Sequence, residues 1–150
     1  MKTEVCALAG IIGGAVASAL GGWDQSLITL IVFMAVDYIT GLIVAGVFHR
    51  SDKTDSGALS SNVGFKGLVK KGVMLLVVLV AARLDLLLGV AFVRDAVIIA
   101  FILNELISIV ENSGLMGVPI PPVIKKAIDM LQDNAGKDSV SKLDSDKEGE

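Results

Sequence analysis

Asp37, Arg83, Asp85, Asn104 and Glu105 are the residues of this chain with the most chemical potential, because each interrupts an otherwise apolar run. Asp37 lies near the middle of run 26–48, Arg83 near the middle of 72–93, and Asn104 and Glu105 near the middle of 96–110. A lone charge in hydrocarbon costs at least about 2.5–3.5 kcal/mol on insertion scales. Such groups must therefore face one another or water. These runs hold three acids and one base, so Arg83 answers only part of the set. The rest requires a proton, since burial disfavours the charged form, or access to water. The layer reads either as a polar path that becomes wet on assembly or as a buried pairing that fixes helix packing. Neither reading is covalent catalysis. The single cysteine, Cys6, sits in the first apolar run, and the single histidine, His49, at the edge of the second. They form no metal-ligand spacing, no internal disulfide and no hydrolytic nucleophile–base set, so no metal or cofactor is implied.

The elements that must hold this layer are membrane helices. Of the 150 residues, 53% are hydrophobic, and mean hydropathy is +0.74. Charges collect in 49–71 and beyond Glu111. A soluble fold of this size has too small an interior for the long uncharged runs that remain. The net charge of -3 averages a basic middle loop with an acidic tail, and aromatics are only 5%. That leaves no stacking surface for nucleic acid. The pattern predicts an all-α integral membrane protein of about four spans (5–23, 26–48, 72–93 and 96–112) in a membrane domain 1–133.

In the first span, Gly10, Gly14, Ser18 and Gly22 recur every four residues, beside a second small row at Ala9, Gly13, Ala17 and Gly21. Small residues at this spacing let helix backbones approach closely. Gly41 follows Asp37 on one face of the second span. Ala17-Ser18-Ala19 also resembles a signal-peptide cleavage site, but Lys2 offset by Glu4 makes a poor n-region. The loop 49–71 carries Arg50, Lys53, Lys66, Lys70 and Lys71, and 63–71 could lie as a short interfacial helix. The fourth run is short, and a three-span chain with a re-entrant last segment is the competing topology.

Pro119, Pro121 and Pro122 break the chain after Gly114. Pro122 can start a new helix. There Ile128 and Leu131 share an apolar face opposite Lys125 and Lys126, which predicts an amphipathic helix over 122–133 on the membrane surface. Residues 134–150, polar and highly charged, are expected to be disordered. Basic residues mark the cytoplasmic side. Four spans put the middle loop, Lys2, Lys125 and Lys126 there together, with both termini inside.

Several segments together resemble a known family. They are Asp37-Tyr38-Ile39-Thr40-Gly41, Ser60-Ser61, 64–71 (GFKGLVKK), Arg83-Leu84-Asp85, 104–109 (NELISI), Glu111-Asn112 and 117–121 (GVPIP). In this order and spacing, from about Leu30 to Met130, the chain resembles phage holins of the toxin-secretion/phage-lysis type. The resemblance implies a non-enzymatic protein of the bacterial cytoplasmic membrane that forms homo-oligomers. It would open timed lesions through which an endolysin or toxin crosses, with no stable complex between them. Many holins carry a strongly basic tail, whereas this one alternates lysine with Asp and Glu, so a role borrowed from basic tails does not carry over. Two other classes compete. One is a small transporter using Asp37 or Glu105 for a proton or cation, although no internal repeat supports it. The other is a membrane scaffold subunit.

Overall fold

A computed structural model describes the backbone of residues 1–145 and the side chains of residues 1–133. Among the described residues the chain is all helix and connection, without strands. The helices are α1 (Lys2–Ala19), α2 (Gln25–Ile43), α3 (Ser61–Leu88), α4 (Val93–Leu115) and α5 (Pro122–Ser145). Two are long and apolar enough to cross a membrane by length and composition: α1, with mean hydropathy 1.3, and α2 continued to Phe48, with 2.3.

Local chemistry sets most of the boundaries. Asp24 caps α2 by accepting a bond from the Leu27 amide at 2.8 Å, satisfying one of the amides a helix start leaves open. A π-helical segment, Val44–Phe48, continues α2 and ends at His49, which is left-handed at φ 52°. Gly89, at φ 69°, closes α3. The expected interfacial helix at 63–71 is instead the first part of α3, whose 28 residues make a rod of about 42 Å. The loop therefore shrinks to 49–60, since no proline interrupts the chain from Ser60 to Leu88. Phe65, Leu68 and Val69 are exposed on α3, as an interfacial reading requires. The fourth helix is also longer than its apolar run, because Arg94 and Asp95 lie in its first turn rather than in a connection.

α5 runs on to Ser145, past the expected end of the amphipathic helix at 133. No proline follows Pro122 to stop helix propagation. Residues 146–150 of the expected tail lie outside the described residues. Ile128 is buried and Leu131 half-buried, while Pro122, Lys125 and Lys126 are exposed. Ile128 is thus turned toward protein and the helix packs on α4, while Val123 of the same predicted face is exposed.

The core lies among α2, α3 and α4, with α4 packed on both of the others. Leu27, Leu30, Met34, Met74, Val78 and Ile98 form its centre. α1 stands apart, and Ala17 is its one buried residue. A Cβ built on Gly10, Gly13, Gly14 or Gly22 would meet nothing within 4 Å. The row Gly10, Gly14 and Gly22 is therefore unused within one chain, whereas the second row packs through Ala17 and Gly21. Gly41 differs, since a Cβ there would touch the Asn112 side chain at 3.8 Å, an ordinary contact.

Candidate functional site

Two polar clusters pin α2, α3 and α4 together, one on either side of the apolar core. The inner cluster centres on Lys71. Its ammonium lies 2.7 Å from Asp37 Oδ2 and also pairs with Glu105 Oε2. Asn112 donates to Asp37 Oδ1 at 3.1 Å and to Thr40 Oγ1 at 3.0 Å, and Thr40 donates to the Asp37 carbonyl at 3.0 Å. Helical periodicity explains the convergence. Asp37 and Gly41 are one turn apart on α2, and Glu105 and Asn112 two turns apart on α4, so each pair shares a face. Tyr38 lies against Gly64 and Gly67 of α3, where a Cβ would make only ordinary contact with it.

A cavity of about 130 Å³ opens beside this cluster. Asp37, Lys71, Asn104, Glu105, Ser108 and Asn112 line its inner part, and loop residues from Ser51 to Ser60 line its mouth. Asn104 reaches the cavity although the residue is largely exposed.

The sequence expectation for Arg83 is corrected here. Arg83 is exposed and joins no ion pair among the described residues. Lys71 and Arg83 are separated by about 18 Å along α3 and by about 120° around it, so only one of them can face Asp37 and Glu105. Arg83 shares the outward face of α3 with Val80, Leu84 and Leu87. Lys71, expected among the loop's basic residues, is instead the half-buried cation of the site. The remaining loop bases stay outside: Lys53, Lys66 and Lys70 are exposed, and Arg50 donates to the Leu115 carbonyl at 3.4 Å.

Asp85 also leaves the expected layer. Its carboxylate accepts bonds from the Val93 and Arg94 amides at 2.9 and 3.0 Å, capping α4 from the end of α3. This is the outer cluster. Arg94 there donates to the Leu20 carbonyl at 2.5 Å and pairs with Asp24 at 2.5 Å and Asp95 at 3.1 Å. The bond from Arg94 holds the Asp24 carboxyl below its ordinary value, and Asp24 in turn raises the guanidinium's. Gly21, at φ 94°, is required beside them, since a Cβ there would lie 2.6 Å from Arg94 Nε. Arg94, Asp24 and Asn112 were not singled out as site residues by the sequence. The signal available was that each flanks or ends an apolar run.

The arrangement holds helices together and presents a polar cavity, and it matches a family in sequence. Residues 14–133 match the profile of the bacteriophage holin family. The chain belongs to the bacteriophage holin family. Among relatives of this holin-family chain is the 14.9 kDa protein of the nagH 3′ region of Clostridium perfringens. It is 44% identical over 74% of this chain and 80% of its own length. A Listeria monocytogenes protein is 41% identical over 90% of this chain and 93% of its own. A Bacillus phage phi105 protein named "Probable holin" is 32% identical over 75% and 78%. No solved structure matches the chain. Family membership and the two apolar helices make it a membrane protein.

Proposed function

We propose that the chain acts as a holin. It crosses the bacterial cytoplasmic membrane four times, with both termini inside, and assembles with copies of itself. The assembly opens lesions that let a cell-wall hydrolase or toxin cross at a set time.

The observation that carries this reading is α1. It is apolar and lined with small residues, yet almost none of it packs against its own chain. In lipid such a helix gains most by close contact with another helix bearing small residues. Copies of the chain supply that helix. A groove between α1 and α3, bordered by Gly14, Ser18, Ala82 and Leu86, leaves room for it.

Burial also supports a particular choice of the charge that meets water in a lesion. Asp37 and Glu105 are clamped by Lys71. Arg83 is outward-facing and unpaired among the described residues, so it is the group left to line a wet seam between copies.

Induced expression with a co-expressed hydrolase tests the proposal. Membrane potential should collapse abruptly after a delay, with release of cell contents. Cells that keep their potential and grow on would refute it. A reporter fused at Glu150 tests the topology, and a signal from outside the cell would overturn the four-span arrangement.

A further inference from the structure

We propose that Arg83 joins one copy of the chain to the next, through an ion pair with the Asp24 and Asp95 carboxylates at the root of that copy's α1. The contact deepens the assembly reading above and rests on copies meeting through α1. Arg83 points away from its own bundle and forms no ion pair among the described residues. A charge left alone on a membrane helix is costly, so it calls for a partner outside the chain. α3 closes at Leu88, which places Arg83 about 7.5 Å from the helix end. That is the level of the outer cluster. Asp85 lies about 3 Å further along α3 and bonds the Arg94 amide at 3.0 Å. Copies inserted in the membrane with one orientation keep these levels matched.

The outer cluster supplies the complementary charge. Asp24 and Asp95 both bond the same Arg94 nitrogen, Nη1, at 2.5 and 3.1 Å. With Asp85, three carboxylates stand against one guanidinium. The start of α4 answers part of the excess, through its amides on Asp85. Asp24 and Asp95 share what remains, and their side chains are 45% and 54% exposed, open to a second cation. Arg83 cannot serve in its own chain. Asp85 faces the cluster, and Arg83 lies about 200° around α3 from it, on nearly the opposite side. A second copy can be served. The groove between α1 and α3 is bordered by Leu86, about 60° around α3 from Arg83. The α1 of another copy seated in that groove ends at Ala19, and the turn that follows it carries Asp24 to the side of Arg83.

Self-association of the full chain in maltoside micelles free of phospholipid, followed by native mass spectrometry, tests the contact. The parent should assemble. Arg83→Glu should weaken assembly at least about tenfold, or about 1.4 kcal/mol, and adding Asp95→Lys to Arg83→Glu should restore part of it. Where the double variant does not fold, cross-linking takes its place. In a Cys6→Ser background, co-expressed Arg83→Cys and Asp95→Cys chains should form mixed disulfides in preference to same-site ones. An Arg83→Glu chain that assembles like the parent would overturn the contact while leaving the lesion reading standing. So would a folded double variant without recovery, or same-site disulfides alone. Assembly that depends on Arg83 only when phospholipid is present would assign Arg83 to a lipid phosphate and overturn the contact as well. A parent that stays monomeric would overturn both the contact and the assembly reading.

Discussion

Replacing Lys71 by Met should be among the most destabilising single changes in the protein. Its ammonium is shared by two carboxylates whose side chains are only 11% and 4% exposed. Met keeps the length and the apolar stem but removes the charge. Asp37 and Glu105 would then face each other as like charges, with Asn112 still donating to Asp37. Removing one partner of a buried pair costs about 3–5 kcal/mol, a large part of a typical stability of about 5–15 kcal/mol. The loss can be read by unfolding the protein in mixed micelles while following helix content. Adding Glu105→Gln to Lys71→Met should return part of it, because one of the two stranded charges is gone. A loss under about 1 kcal/mol, the range of an exposed ion pair, would refute the claim that Lys71 clamps three helices. So would a double variant less stable than Lys71→Met alone.

Gly21→Ala should cost more than about 1 kcal/mol, from the left-handed backbone alone and again from the clash with Arg94; a protein that melts like the parent would contradict this. The Asp24 carboxyl, held low by Arg94, contributes stability that is present above its unfolded value of 3.8 and is lost as pH falls through the lower folded value. Acid unfolding curves should therefore show a loss below pH 3.8 that Asp24→Asn removes. Arg83→Gln should change stability by less than about 0.5 kcal/mol, as for an exposed site, while altering lysis timing; unchanged timing would remove Arg83 from the proposed seam. Gly14→Leu should leave unfolding of the single chain unchanged and delay or abolish lesions, measured as the time to loss of membrane potential.

The bundle of helices was legible because long apolar runs have few structural solutions. Asp37 and Glu105 were legible as members of a polar layer, since isolated carboxylates stand out in such runs. The cation between them was not. Lys71 sits at the polar edge of its run, beside Lys70, and by composition belongs to the loop. Only the extension of α3 back to Ser61 turns it inward. Arg83 misled for the complementary reason, because position along a run gives depth but not the side of the helix. Asp85 and Arg94 show a third limit. Asp85 is held by backbone amides, and Arg94 by the Leu20 carbonyl besides its carboxylates, and no pattern of side chains announces backbone partners.

Arg94 gives α1 the mechanics of a cantilever. The guanidinium grips the carbonyls of Leu20 and Gly22 at 2.5 and 3.3 Å, so the root of α1 is fixed while most of its length stands clear of the bundle. Where copies join through α1, the angle at that root becomes the angle between neighbours. Repeated around a closed assembly, a constant angle sets how many copies complete the circuit. The clamp at Arg94 would then act as a gauge of lesion diameter, and loosening it should broaden the range of hole sizes without preventing holes from forming.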